Sequence, residues 1–314
     1  MKNIAKLIKL TLIVVSSTIM FSCSDDDDNN QNNSIAAIAS RTADLSILVD
    51  ALEKTDLVET LDGTGSYTVF APTNAAFTTF LSANGYANLD AVPTAALKEI
   101  LLNHVVNGTN LSTSLSTGYI KTLAKGSASS TNTLSMFVNT ASGVRLNGVS
   151  NVSTADVVAS NGVVHIVDAV IGLPTVVTHA TANPNFSSLV GALTSAGQPD
   201  FVGILSGTAS SPFTVFAPSN AAFTAFETQN PGTLAGLTTA QLTAVLSYHV
   251  VAGANVLSNA IPSGPITTYE TGTFTVSGTV ITDEAMRQTN IVAVDVQASN
   301  GVIHVLDNII LPEL

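Results

Sequence analysis

Residues 67–77 read YTVFAPTNAAF, and residues 213–223 read FTVFAPSNAAF, 146 positions later. A second segment follows each copy in the same order: residues 159–168 read ASNGVVHIVD, and residues 298–307 read ASNGVIHVLD, at an offset of 139. Two matched segments in the same order indicate one domain built twice. After the N-terminal segment about 280 residues remain, so each copy has about 140, enough for its own hydrophobic core.

The first matched segment predicts a strand that runs into a helix. Its Thr-Val-Phe core is β-branched and aromatic, and the proline that follows cannot donate to a strand ladder. Either the Thr/Ser or the Asn after that proline should cap the next helix. We therefore expect a structural role for Asn74 and Asn220. Upstream, both copies have apolar residues at helical spacing: Leu45, Leu48, Val49 and Leu52 in the first, and Phe186, Leu189, Val190 and Leu193 in the second.

The second matched segment predicts a hairpin that closes each copy. Asn161-Gly162 and Asn300-Gly301 form the strongest two-residue turn signal, because both turn residues need positive φ. Before it lie short Thr- and Val-rich segments, such as 134–138 and 274–281. Helices followed by many short strands predict an α+β fold, in which a small β-sandwich or wedge packs with several short helices.

His165 and His304 occupy the same place in the two hairpins, and each is followed three residues later by an aspartate. Side chains alternate between the faces of a strand, so residues three apart point to opposite sides. A metal or acid/base pair within the strand is therefore not expected. We predict half-buried histidines that hydrogen-bond to the backbone, and we expect no metal, no cofactor and no catalytic residue.

A second pair of histidines, His104 and His249, ends the last helix of each copy, after Asn103 and Tyr248 respectively. We expect these histidines to hydrogen-bond across the domain and to hold the helix to the sheet. Contact with a ligand is the alternative, so Asn103, His104, Tyr248 and His249 are candidate contact residues.

These landmarks together resemble the fasciclin domain. Thr-Val-Phe-Ala-Pro-Thr/Ser-Asn-Ala-Ala-Phe, the helix that ends in Tyr-His, and Asn-Gly-Val-Val/Ile-His occur in the family's order in both copies. The resemblance covers residues 35–174 (repeat one) and 175–314 (repeat two). It implies extracellular adhesion modules, often in tandem and often anchored to a membrane. Repeat one departs from the family pattern at Asn103, so a role tied to the tyrosine ring applies to Tyr248 alone.

The first 34 residues predict export and anchoring. Lysines at 2, 6 and 9 precede an apolar run over residues 7–21, which is too short and too interrupted to span a membrane and is typical of a secretory signal over residues 1–22. Cys23, the only cysteine, follows that run and resembles the lipidated residue of a bacterial lipobox, although Met20 and Phe21 depart from the usual pattern. Residues 23–34, with four consecutive aspartates, predict a disordered acidic tether.

The acidic residues directly behind Cys23 also resemble the surface-export signal of some Gram-negative lipoproteins. We therefore expect attachment to the outer membrane with the domains facing the cell exterior, and the periplasmic face is the alternative. The chain carries a net charge of −12, which becomes −15 once the three lysines of the signal are removed. That charge argues against nucleic acid and anionic membrane as partners, so the membrane is approached through the lipid anchor only.

The leading functional hypothesis is a lipid-anchored surface protein for adhesion or binding, whose partner is an extracellular matrix protein, a polysaccharide or another copy of itself. The alternative is a glycan-binding accessory protein for polysaccharide capture. An enzyme is not expected, because the sequence has no Gly-x-Ser-x-Gly, no His-Glu-x-x-His, no phosphate loop and no dinucleotide fingerprint.

Overall fold

The structure is a computed structural model that describes residues 33–314. Asn33–Leu314 form one compact unit. The predicted signal sequence, Cys23 and all of the acidic tether before Asn33 lie outside the described residues.

In repeat one, most helices precede most strands, as the sequence predicted. The elements run in chain order as α1 (Ile35–Arg41), a 3-10 turn (Ala43–Leu45), α2 (Ser46–Lys54), α3 (Val58–Asp62), β1 (Tyr67–Pro72), α4 (Asn74–Ala83), a 3-10 turn (Leu89–Ala91), α5 (Thr94–Leu102), β2 (Val105–Asn107), β3 (Gly118–Gly126), β4 (Ser129–Asn139), β5 (Arg145–Leu146), β6 (Ser150–Ala159) and β7 (Gly162–Val167).

Repeat two follows the same plan with shorter middle strands. Its elements are α6 (Val176–Ala182), a 3-10 turn (Pro184–Phe186), α7 (Ser187–Leu193), α8 (Phe201–Ser206), β8 (Phe213–Pro218), α9 (Asn220–Gln229), α10 (Thr233–Gly236), α11 (Thr239–Tyr248), β9 (Val250–Ala252), a 3-10 turn (Ser258–Ala260), β10 (Ile266–Thr267), β11 (Thr273–Ser277), β12 (Val280–Thr282), β13 (Gln288–Ala298) and β14 (Gly301–Leu306).

The two matched sequence segments form neighbouring strands at the centre of each domain. β1 pairs in parallel with β7, with Phe70 opposite His165, and β8 pairs in parallel with β14, with Phe216 opposite His304. In repeat one the seven strands close into a barrel, whereas repeat two has a seven-stranded sheet in the order β10-β11-β12-β13-β14-β8-β9. The predicted α+β class, with sheets packed against several short helices, is confirmed.

The closing hairpin of repeat one forms where the sequence predicted it, but its turn lies one residue earlier. Ala159 pairs with Gly162, so the turn residues are Ser160 and Asn161, and Asn161 keeps an ordinary negative φ. The predicted Asn161-Gly162 turn with two positive φ angles is therefore wrong, and the same shift holds in repeat two, where Ala298 pairs with Gly301.

The glycines of these hairpins are required by a close approach of two strands. Gly162 opens β7 with φ +148°, and a Cβ there would lie 1.9 Å from the backbone oxygen of Tyr67 in β1. At Gly301 the corresponding Cβ would lie 2.2 Å from the backbone oxygen of Phe213. Only glycine leaves room for the parallel strand at these positions.

Each repeat has its own core. Every cluster of buried apolar side chains within residues 33–314 takes its buried members from one repeat. The matched helices α4 and α9 bury different rings, since Phe77 is fully buried in the first and Phe226 in the second, where Phe223 is half-buried. The duplicated sequence therefore builds two separate cores.

The two repeats are nevertheless in direct contact. The β3–β4 hairpin of repeat one lies along β13 of repeat two. Lys121 Nζ donates to the backbone oxygen of Asp295 at 2.9 Å, and the Gln297 amide donates to Ser135 Oγ at 3.0 Å. At the tip of the hairpin, the Ala128 amide donates to the backbone oxygen of Ser299, the residue after β13, at 2.9 Å. Backbone and side-chain hydrogen bonds thus join the domains.

Candidate functional site

The histidines of the central strands are fully buried, so the predicted half-burial is wrong. His165 Nδ1 accepts from the Asp156 amide at 3.2 Å, which leaves Nε2 to donate to the backbone oxygen of Asn110 at 2.9 Å. His304 Nε2 lies 2.9 Å from the Val256 oxygen, and its Nδ1 has no hydrogen-bond partner. Both rings stack on a phenylalanine of the neighbouring parallel strand. These imidazoles fill the core and bond to the backbone, as the sequence favoured.

Asp168 and Asp307, three residues after these histidines, hydrogen-bond to the neighbouring strand and not to the imidazoles. Asp168 is exposed and accepts from the amide and the side chain of Asn151, at 2.7 and 2.9 Å. Asp307 accepts from Asn290 in the same way, at 2.8 and 2.7 Å. Each aspartate therefore joins the two strands of its hairpin. Histidine and aspartate lie on opposite faces, as the strand geometry predicted.

His104 and His249 tie the last helix of each repeat to the segment after the closing hairpin. His104 Nδ1 donates to the Ile100 oxygen at 2.7 Å, and its Nε2 accepts from the Ile171 amide at 2.9 Å. His249 Nδ1 donates to Val245 at 2.7 Å, and its Nε2 accepts from a backbone amide at 3.3 Å. Burial lowers the pKa of both imidazoles to about 4, so they are neutral at pH 7. The helix-to-sheet role is the one this geometry supports.

Asn103 and Tyr248, at matched positions, are buried as well. Asn103 Nδ2 donates to the backbone oxygens of Ile171 and Gly172, at 3.3 and 3.0 Å. The Tyr248 hydroxyl donates to the Thr273 oxygen at 2.6 Å, and burial, followed by the nearby Glu284 charge, raises the pKa of that phenol. With both histidines also buried, the four candidate contact residues offer no surface to a ligand in this conformation.

Asn74 and Asn220, the asparagines of the first matched segment, join two helices of the same repeat. Thr73 supplies the helix cap, since its hydroxyl accepts from Ala76, while Asn74 Oδ1 accepts from the Ile47 amide at 2.9 Å. Asn220 has the same role with Ser188 at 2.9 Å.

The hairpin asparagines act similarly on the first helix of each repeat. Asn161 Oδ1 accepts from the Ile35 amide at 2.9 Å, and its Nδ2 donates to Leu61 at 2.8 Å. Asn300 Oδ1 accepts from Val176 at 3.0 Å. Each motif asparagine therefore links elements that are distant in sequence.

The contact between the repeats contains side chains that the sequence did not indicate. His179 is buried beside Tyr119 of repeat one, with the rings edge to face and their centroids 5.4 Å apart. The Tyr119 hydroxyl accepts from Asn183 Nδ2 at 3.2 Å. Burial lowers the pKa of His179 to about 4 and raises that of Tyr119 to about 12. Because repeat one has isoleucine at the position of His179, comparing the repeats gave no signal for this contact.

The part of the chain that the structure describes contains neither a cluster of metal-binding side chains nor a helix able to span a membrane. In residues 33–314, no three His, Cys, Asp or Glu side chains are grouped so that they could hold a metal ion. Over the same range, no helix has both the length and the apolar character needed to cross a bilayer.

The family model for the fasciclin domain matches residues 43–174 and again residues 184–312. The chain belongs to the fasciclin family. Each match includes the parallel strand pair, its buried histidine and the last helix with the buried histidine that follows it. The tandem arrangement inferred from the duplicated segments is therefore confirmed.

The relatives include bacterial and animal proteins. Protein sll1483 of Synechocystis is 40% identical over 147 residues, which are 45% of this chain and 74% of that protein. Human periostin is 27% identical over 268 residues, or 82% of this chain and 30% of periostin. Among solved structures, a fasciclin domain pair from the insect cell adhesion molecule Fasciclin I covers 86% of this chain, with a TM-score of 0.54 and 20% identity. That similarity shows that the paired fold is shared.

Proposed function

We propose that this chain is a cell-surface protein for adhesion or binding, held at the outer membrane by a lipid on Cys23 and facing the cell exterior. The observation that carries the proposal is the joining of two fasciclin domains into one compact unit by direct hydrogen bonds. Such a unit presents both domains to a partner at once. Many copies on one cell would then gain avidity from individually weak contacts.

We further propose that the protein acts by binding and not by catalysis. All five histidines are buried, and each has a ring nitrogen bonded to or facing a backbone group. The side chains best suited to acid/base chemistry near neutral pH are thus committed to the scaffold. The insect protein that shares the paired fold, Fasciclin I, is a cell adhesion molecule.

The anchoring and the adhesion can be tested in one genetic experiment. Deletion of the gene should reduce attachment or aggregation of the producing cells, and the wild-type gene should restore it. A Cys23→Ser variant should be produced without lipid, released from the membrane and unable to restore attachment. Unchanged attachment of the deletion strain on matrix protein, polysaccharide and sister cells would contradict the proposal.

The orientation needs a separate measurement. Protease added to intact cells should degrade the two domains if they face the exterior. A periplasmic marker protein serves as the control for cell integrity. Protection of the domains in intact cells, with degradation only after the outer membrane is opened, would place them on the periplasmic side.

A further inference from the structure

Repeat one has an open cleft between helices α2 and α4, of about 530 Å³. Its floor consists of Ile47, Leu81 and Leu89, which pack on the core of the repeat. Polar residues form the rim: Asp50, Thr78, Ser82 and Asn88. Tyr86, half-buried, is the aromatic residue of the lining. This size lies within the range of small-ligand sites in proteins.

Residues 88–92, which form the wall of the cleft after α4, are held in place by hydrogen bonds. Lys54 Nζ, on α2, donates to the backbone oxygens of Leu89, Asp90 and Val92, at 2.9, 2.9 and 3.0 Å. The side chain of Asn88 accepts from the Ala91 amide at 3.0 Å. The cleft is therefore formed before any ligand arrives, which lowers the entropic cost of binding.

The turn that carries the tyrosine is fixed in the same way. α4 ends at Ala83, and Gly85 adopts φ +71°, where side chains other than glycine are strained. The Tyr86 amide then donates to Leu81 at 2.9 Å. These contacts set the position of the tyrosine beside α4.

Several polar groups in the cleft have no partner among the residues that the structure describes. In residues 33–314, neither the Tyr86 hydroxyl nor the Asp50 carboxylate nor the Ser82 hydroxyl makes a hydrogen bond or an ion pair. All three remain available to hydroxyl groups of a ligand. An aromatic ring with an apolar body and a polar tip, placed among such groups, suits a ligand with both C–H faces and hydroxyls.

We propose that this cleft binds a neutral glycosyl unit, with a sugar ring packed on Tyr86 and its hydroxyls bonded to Asp50 and Ser82. The net charge of −12 and the carboxylate in the cleft disfavour acidic polysaccharides. This assignment rests on the proposed surface function and names its partner class. The sugar is a bound partner and undergoes no reaction.

A groove of repeat two beside α9, the helix that matches α4, lacks these features. The groove contains Phe223, Thr224 and Thr228 but no tyrosine. The acidic side chain there, Glu227, is occupied, since its oxygens accept from the amides of Gly232 and Leu234 at 2.9 and 3.1 Å. That groove therefore does not offer a second glycosyl site of this kind.

The test uses the full chain on an array of neutral oligosaccharides and on columns of insoluble β-glucan, α-glucan, mannan and xylan. Wild-type protein should be retained by at least one of these probes. Tyr86→Ala should weaken that binding at least tenfold, whereas Tyr86→Phe, which keeps the ring face, should weaken it less than threefold. Tyr269→Ala, which removes an exposed tyrosine of repeat two, is the matched control and should bind as the wild type does.

Thermal unfolding of each variant verifies that it folds. A second variant, Asp50→Asn, tests binding at an exposed residue that the fold does not require. It should weaken binding severalfold. Equal binding by wild type, Tyr86→Ala and Asp50→Asn would overturn the assignment, as would no retention on any probe. If deletion of the gene still abolishes attachment in that case, the cleft fails while the proposed function stands. If binding depends on Tyr86 but deletion of the gene causes no attachment defect, the cleft assignment stands and the proposed function fails.

Discussion

Repeat one closes its strands into a barrel, whereas repeat two does not pair β9 with β10. In repeat one the closure is the antiparallel contact between β2 and β3, where Val106 lies opposite Thr122. In repeat two, β9 instead accepts from the segment after β10, through the Tyr269 amide and the Val250 oxygen at 2.6 Å. Tyr248, two residues before β9, packs edge to face on Phe274 of β11, and its hydroxyl donates to the Thr273 oxygen of the same strand.

The hairpin that follows β2 in repeat one and β9 in repeat two explains this difference. β3 and β4 have 9 and 11 residues, while β10 and β11 have 2 and 5. The long hairpin both closes the barrel of repeat one and reaches β13 of repeat two. Matched landmarks in the sequence thus specify the central strands and their helices, and the length of one hairpin decides how each sheet ends.

Alanine at the hairpin glycines should have the largest effect, and it tests whether the central strand pair is equally strict in both repeats. Gly162→Ala and Gly301→Ala would place a Cβ about 2 Å from a backbone oxygen of the parallel strand. We expect each to lower the free energy of unfolding by about 3 kcal/mol or more, measured by urea denaturation. Gly172→Ala, with no atom within 4 Å, is the control. A wild-type urea midpoint for Gly162→Ala would contradict the parallel register.

The buried histidines should make both repeats sensitive to acid. The folded pKa of His104 and of His249 is about 4, below the ordinary value of 6.5. Between these values the unfolded chain binds protons that the folded chain does not, so stability is complete above pH 6.5 and falls as the pH drops towards 4. Each histidine should contribute a slope of about 1.4 kcal/mol per pH unit near pH 5.

Urea denaturation of His104→Gln and His249→Gln over pH 4.5–7 measures that slope in each repeat. Each substitution should flatten the pH dependence by about the contribution of one histidine. Equal effects would show that the two helix-to-sheet ties are equivalent. An unchanged slope in either variant would mean that the corresponding imidazole is already protonated, or is accessible, in the folded state.

A larger side chain near the tip of the β3–β4 hairpin should weaken the contact between the repeats without unfolding either one. In Gly126→Ala the new Cβ would lie 2.3 Å from the Ser299 Cα, so the hairpin must move away from β13. We expect a loss of about 1–2 kcal/mol of coupling between the domains, seen in calorimetry as two resolved transitions. Gly264→Ala, in open space, should behave as the wild type does. A single unchanged transition in Gly126→Ala would contradict the coupling through the hairpin.

Removal of one hydroxyl should have the smallest effect and should be confined to repeat two. Tyr248→Phe keeps the ring but leaves the Thr273 oxygen without its donor. The expected cost is about 1 kcal/mol in the free energy of unfolding, measured in urea. A much larger loss would indicate that this hydrogen bond, and not the packing of the ring, holds the open side of the sheet.

Much of the fold followed from residues that act locally. The Thr/Ser caps depend on a side chain and an amide three residues apart, and helix spacing and strand chemistry act within one element. The duplicated segments added the long-range information, because two copies in one order imply two like domains. The opposite faces of His165 and Asp168 also followed, since the alternation of a strand is a property of the backbone.

Only the tertiary structure could decide contacts between distant elements. The sequence suggested that Gly162 is a turn residue. Glycine is required there because β1, nearly a hundred residues earlier in the chain, passes where a Cβ would lie. The burial of Tyr248 depends on how the sheet of repeat two ends. His179, Tyr119 and the cleft at Tyr86 depend on elements packed from different parts of the chain. Sequence periodicity reports which face of an element is apolar, but the neighbour that covers that face is set by packing.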